Sequence, residues 1–225
     1  MSNVGFRIFT IANRPDKVLV ESFKGLPVAN IADEMNRLYC VNSRIKSVNG
    51  LPLLGTAFTV KTRVGDNLML HKAIDMAQPG EIIVVDVQGD LTNSVTGEIM
   101  MRQAVKRGIS GVVVDGAVRD AEALRELTMP IFAAGIQPNG PYKDGPGEIN
   151  VPVCCGGIVV KPGDILVGDA DGIVVIDPQD APEILEKARE KYRQEQVKFK
   201  AIEDGTMDRS WVDKTLIKLG CEYVR

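Results

Sequence analysis

SVTGEIMMRQAVKRGISGVVVDGAVRD, residues 94–120, decides the fold. Its first part, 94–108, reads as a helix stopped by Gly108. Its second part opens on four packable residues, Gly111, Val112, Val113 and Val114, which read as a buried strand. The run then passes into Asp115, Gly116 and the adjacent pair Arg119–Asp120. A surface turn would tolerate those charges without needing the apolar run in front of them. The spacing suggests a strand that delivers charge to the rim of a core.

The same alternation extends in both directions. Upstream, Val28, Ile31, Met35 and Leu38 recur at helical spacing, which predicts a helix over 27–38. Residues 53–64 read as a strand, 65–80 as a helix capped by Asp66 and stopped by Pro79–Gly80, and 81–89 as a second apolar strand. Downstream, 120–129 reads as a short helix and 130–136 as a short strand. Strand–helix–strand–helix–strand implies a mostly parallel sheet with short connections. From 151 the pattern changes to short strands broken by Pro-Gly-Asp and Asp-Ala-Asp-Gly turns, which suggests antiparallel pairing. Residues 181–205 predict a long amphipathic helix with Pro182 in its first turn. With no repeat, low-complexity tract or linker, the reading is a single α/β domain over 1–225. Its N-terminal half is parallel β-α-β and its second half is β-rich.

Composition narrows the function classes. The chain has 225 residues, 44% hydrophobic and 25% charged, enough to build a sizeable core. Its net charge is −3, from 27 Lys+Arg against 30 Asp+Glu, so no basic excess points to nucleic acid or an anionic membrane surface. The basic residues at 187–200 are interleaved with Glu186, Glu190 and Glu195, the pattern of a solvated helix face. Four cysteines without a C-x-x-C pair, and one histidine, argue against a structural zinc site or a disulfide framework. No apolar stretch is long enough to span a membrane, and the N-terminus lacks a signal-peptide pattern. A reduced, cytoplasmic protein is expected.

The charges fall where chemistry is expected. In open α/β sheets, ligands bind beyond the carboxyl ends of the strands. Asp86 and Asp115 end two of the strands, and Arg119 and Asp120 follow. Gly97 and Glu98 open the helix before the third strand. The unpaired N–H groups of Ile99 and Met100 are suited to a carboxylate, and Arg119 can grip the same group bidentately. Asp120 and Glu98 are then oxygen ligands for a hard divalent cation such as magnesium. Each also has a structural reading: a surface pair, a cap, or an acid placed by the helix dipole. His71, mid-helix, reads as structural, as does Cys154–Cys155 in its apolar run. No lysine is expected in the cluster, and 138–147 reads as an ordinary loop.

The run GEIMMRQAVKRGISGVVVDGAVRD (97–120) resembles the RraA-like family, which includes 4-hydroxy-4-methyl-2-oxoglutarate/4-carboxy-4-hydroxy-2-oxoadipate aldolases and regulators of ribonuclease E activity. The family's aldolases carry an acid, twenty intervening residues and then Arg-Asp. Glu98, residues 99–118 and Arg119–Asp120 match that spacing. The first acid is often Asp, so Glu98 departs from the pattern by a methylene. Segments 65–86 and 151–175 also look like family segments, and the resemblance covers roughly 20–205. It implies a layered β/β/α sandwich with a mixed sheet, assembled as trimers or paired trimers, with clefts between subunits as active sites.

By the same resemblance, Arg119 and the amides after Glu98 hold a pyruvyl carboxylate. Asp120 binds the metal directly, and Glu98 acts on it through water. Glu190 and Glu195 are the candidates contributed by a neighbouring subunit. The implied activity is a carbon–carbon lyase that uses Mg2+ or Mn2+. It cleaves a small 4-hydroxy-2-oxo acid to release pyruvate and decarboxylates oxaloacetate as a side reaction. The alternative is a non-catalytic regulator that binds a ribonuclease. The resemblance implies that those regulators lose the Arg-Asp pair, which is intact here.

Overall fold

The structure, a computed structural model, describes residues 3–10, 14–222 and 224. By its contacts the chain divides into two compact units, Met1–Ala188 and Arg189–Arg225.

The first unit carries the sheet. Its elements run β1 (Phe6–Ile8), α1 (Lys17–Glu21), α2 (Val28–Glu34), β2 (Lys46–Ser47), β3 (Leu53–Thr62), α3 (Leu68–Met76), β4 (Glu81–Asp86) and β5 (Ser94–Thr96). They continue with α4 (Glu98–Lys106), β6 (Gly111–Val118), α5 (Ala121–Arg125), β7 (Ile131–Ile136), β8 (Gly147–Ile149), β9 (Val153–Cys155), β10 (Ile158–Val160), β11 (Ile165–Gly168) and β12 (Ile173–Ile176). Helix α6 (Ala181–Glu203) runs from the first unit into the second, which also holds α7 (Ser210–Lys218).

The main sheet has the order β1-β8-β3-β4-β6-β7-β2, with β11 and β12 joined through β3 and β5 joined to β6. The β3–β4–β6–β7 centre is parallel, and β8 and β11 pair antiparallel with β3. A separate antiparallel hairpin, β9–β10, forms the second sheet. This is the mixed, layered architecture that the resemblance implies.

Strand alternation explains the layers. Phe58, Val60, Ile83, Val85, Val112 and Val114 share one face and pack with the buried side of α3 and α4. Ala57, Ile82, Val84 and Val113 share the other face and pack against Val153, Cys155 and Val160 of the hairpin. Each central strand is therefore covered on both sides, so it reads as an unbroken apolar run. Each fully buried aliphatic side chain of this kind contributes about 1.5–3 kcal/mol. Val20, Phe23, Ile31, Val174 and Ile184 form a third cluster around α1, α2 and the start of α6.

Several expected boundaries move. The 27–38 helix stops at Glu34 because Asn36 and Arg37 adopt positive φ, 55° and 61°, which ends the helical ladder. The 94–108 helix begins only at Glu98, since Ser94–Thr96 is drawn into parallel pairing with β6. The 65–80 helix shrinks to Leu68–Met76, with Asn67 as N-cap and Asp66 accepting the Leu68 N–H at 2.9 Å. Among the described residues, no helix is long and apolar enough to cross a membrane.

Candidate active site

The corner after β6 is built by close approach. Arg119 N–H donates to Thr96 O at 3.0 Å, which continues the pairing with β5 by one residue. Asp120 then takes the left-handed conformation, φ 58° and ψ 41°, where Asp is among the few tolerated residues. That turn aims its carboxylate back at the start of α4, and Oδ2 accepts the Glu98 N–H at 2.9 Å. Gly97 sits at the contact. A Cβ there would collide with Asp120 Oδ2 and Arg119 Cγ, so the turn requires glycine for space, its backbone being extended.

The helix end stays open to a ligand. Met101 N–H makes the first bond of the ladder, to Gly97 O at 3.1 Å, and the N–H groups of Ile99 and Met100 precede it. Such groups, with the helix dipole behind them, favour an anion. Arg119 lies beside them. Its Nε stands 3.8 Å from Asp120 Oδ2, a loose pair with both side chains 42% exposed, so the guanidinium keeps its donors for another partner. Gly140 faces the other side of that group, where a Cβ would come within 2.9 Å of Arg119 Nη1.

These residues line a cavity of about 160 Å³. Of the candidates from the sequence, Gly97, Ile99, Met100, Arg119 and Asp120 all border it. Glu98 departs from that reading. Its backbone caps Asp120, but its side chain accepts from Arg102 Nε at 2.7 Å, the usual pairing four residues along a helix, and it does not border the cavity.

Five wall residues lie outside the set that the sequence reading predicts. Asn67 caps α3 and His71 lies on it, Thr96 ends β5, and Lys143 and Pro141 come from the 138–147 loop. The loop is held in place by its backbone: Tyr142 pairs with Gly65 and Asn67, and Asp66 Oδ2 accepts from Asp144 and Gly145 at 2.7 and 2.9 Å. A lysine therefore does stand at the site, contrary to the sequence reading. Lys143 is exposed, unlike a Schiff-base lysine, which must be desolvated. His71 is pushed below its ordinary pKa of 6.5 by burial first and the Lys143 charge second, with Asp75 opposing, so the imidazole is neutral at pH 7. The signal for His71 lay in its spacing: it falls one turn after Asn67, and Asn67 and His71 share the face that turns to the cavity.

Asp86 and Asp115 belong elsewhere. They are register partners on β4 and β6, on the face under the hairpin. Asp86 accepts from Cys154 N at 3.2 Å, and Asp115 accepts from Gly156 N at 2.8 Å and pairs with Arg44 at 2.5 Å. They fasten the β9–β10 hairpin instead of meeting a ligand. Cys155 is buried beneath them and Cys154 is exposed, so only half of the pair is core. Glu190 and Glu195 lie in the second unit, where Glu190 accepts from Arg193 and Gln194 on its own helix.

Comparison with known proteins shows which family shares this sequence and fold. The family model described as RraA-like: Aldolase/RraA matches residues 28–175. A relative from Halalkalibacterium halodurans, named "Putative 4-hydroxy-4-methyl-2-oxoglutarate aldolase", is 39% identical over 199 residues, 88% of this chain and 95% of its own. The solved structure of an uncharacterized protein from Pseudomonas syringae superposes with a TM-score of 0.77 at 28% identity, over 86% of this chain and 96% of that one. Streptomyces coelicolor RraAS2, described as an unusual member of the RNase ES inhibitor RraA protein family, does so with a TM-score of 0.75 at 30% identity, over 82% and 97%.

Proposed function

This chain belongs to the RraA-like family, and from that premise we propose that it is a divalent-metal-dependent aldolase of 4-hydroxy-2-oxo acids. It would release pyruvate from substrates such as 4-hydroxy-4-methyl-2-oxoglutarate and decarboxylate oxaloacetate through the same enolate. The observation that carries the reading is the convergence of the α4 N-terminus, Arg119 and Asp120 on one cavity.

The roles follow from donor and acceptor sense. The N–H groups of Ile99 and Met100 and the Arg119 guanidinium are donors, and they bind and orient the substrate carboxylate. Gly97 keeps that approach open. The Asp120 carboxylate is the metal ligand. Oδ2 is taken by Glu98 N–H, while Oδ1 has no hydrogen-bond partner among the described residues, and Asp120 borders the cavity. Among the described residues no three His, Cys, Asp or Glu gather to hold an ion. A single carboxylate backed by water is what Mg2+ or Mn2+ accepts. Glu98, turned toward Arg102, fits a contact through water and not a direct bond. The bound cation would supply Lewis-acid stabilisation of the charge that develops on the keto oxygen.

Glu190 and Glu195 would complete the site of a neighbouring copy in a trimer or hexamer. Four free thiols suit a reducing, cytoplasmic setting. The second reading, a regulator of an RNA-degrading enzyme, draws on the likeness to Streptomyces RraAS2. The intact Arg119–Asp120 corner favours the enzyme.

The test is pyruvate release from 4-hydroxy-4-methyl-2-oxoglutarate and from oxaloacetate, with Mg2+ and with excess EDTA. Turnover is expected with Mg2+, abolished by the chelator, and reduced by about 100-fold or more in Asp120→Ala. Turnover that persists unchanged in EDTA would sink the metal-dependent reading. A wild-type protein that releases no pyruvate under any of these conditions would turn attention to the regulator.

A further inference from the structure

Three residues that line the cavity each carry a buried polar atom with no hydrogen-bond partner among the described residues: Asn67 Oδ1, His71 Nε2 and Thr96 Oγ1. Asn67 is 1% exposed and Thr96 2%. A buried polar atom left without a partner is costly, and three around one hollow point to a bound group that satisfies them. They are not part of the carboxylate cradle, whose members are donors.

Their hydrogen-bond sense identifies the group. Asn67 Nδ2 donates to Val95 O at 2.9 Å and to Met100 Sδ at 3.3 Å, which fixes the amide orientation. Oδ1 is therefore an acceptor only. A carboxylate or keto oxygen cannot satisfy it, but an O–H can. Thr96 Oγ1 both donates and accepts. His71 is neutral, and with its proton on Nδ1 the orphaned Nε2 presents a lone pair. Donors from α4 and Arg119 thus share the cavity with acceptors from α3, which suits a ligand with an anionic end and a hydroxyl.

We infer that Asn67, Thr96 and His71 form a hydroxyl-binding subsite in which His71 Nε2 takes the proton of the substrate's 4-hydroxyl. The inference rests on the aldolase reading and assigns its base. The O–H proton moves to Nε2, and the O–H electron pair becomes the second bond of the new C4 carbonyl. The C3–C4 bond breaks, and its pair moves into C2–C3 as the pyruvate enolate. The imidazolium then returns the proton to C3, which becomes the methyl group of pyruvate, so the site ends as it began.

Oxaloacetate provides the control. It loses CO2 to reach the same enolate but has no 4-hydroxyl to deprotonate. The readout is the ratio of the kcat/KM values for 4-hydroxy-4-methyl-2-oxoglutarate and for oxaloacetate. His71→Gln is expected to lower that ratio by about 100-fold, the scale of a lost general base. Thr96→Val, nearly isosteric, is expected to lower it by about 5–10-fold, the scale of one hydrogen bond. An unchanged ratio in His71→Gln overturns the inference, whether the two rates both survive or fall together. Should that variant fail to fold, an unchanged ratio in Thr96→Val overturns it instead. Wild-type protein inactive on both substrates sinks the aldolase reading itself and takes this assignment with it.

Discussion

Gly97 shows how a single methyl group tests the site. A Cβ at that position would occupy the space of Asp120 Oδ2 and Arg119 Cγ. Gly97→Ala is therefore expected to displace the carboxylate and the guanidinium together. Activity should fall by about 100-fold, the cost of misplacing such groups by an ångström, while the thermal midpoint moves only slightly. Enzyme assays beside a melting curve check this, and an Ala variant with wild-type activity would mean the corner tolerates expansion. His71 has a pH signature. Its folded pKa lies below 6.5, chiefly through burial, so the unfolded chain binds more protons across that interval. Its stabilising contribution is present above 6.5 and is lost as pH falls through the lowered value. Urea unfolding between about pH 5 and pH 7 is expected to show a flatter stability profile in His71→Gln than in wild type. Arg119 and Asp120 were legible because they are adjacent in sequence and follow an apolar run. His71 and Lys143 were not, because only the packing of a helix and the pinning of a loop bring them to the same cavity.

At the scale of elements, the hairpin β9–β10 is the layer that the sequence hid best. Its two strands are three residues each, too short to reveal which face of the main sheet they cover. Asp86 and Asp115 hold it there, and strand alternation held the clue to their role. Asp115 falls in phase with Val113, not with Val112 and Val114, so it faces the hairpin layer and not the α3–α4 layer. Position at a strand's carboxyl end suggested a ligand, but side-chain phase decides which side the ligand would have to occupy. Asp115→Ala is expected to destabilise the protein by about 1–3 kcal/mol. The main loss is the acceptor for the Gly156 N–H, since the Arg44 partner is half-exposed and adds little. Asp115→Asn keeps an acceptor oxygen and should recover part of the loss. Urea titration of both variants measures this. Equal stability of Ala and Asn would assign the effect to the charge pair instead.

At the scale of the whole molecule, the second unit leaves Val197, Phe199, Ile202, Trp211 and Ile217 between 50% and 71% exposed. A monomer rarely leaves that much apolar surface to water, so a protein partner is expected on it. A second copy of the chain is the partner that the family reading supplies, and closed rings of identical subunits present every copy with the same surface. If Glu190 and Glu195 act across such a contact, each site draws Asp120 from one subunit and the glutamates from another. Asp120→Ala and the double variant Glu190→Gln/Glu195→Gln should then each be impaired alone and should rescue one another when mixed. After random reassembly, about a quarter of the sites would pair an intact Asp120 with intact glutamates, because each contribution is wild type in half of the subunits. Light scattering establishes that mixed oligomers have formed, and the assay reads the recovered pyruvate release. Mixed oligomers without recovery would place the whole catalytic set within one subunit. In that case the exposed apolar surface would serve assembly alone.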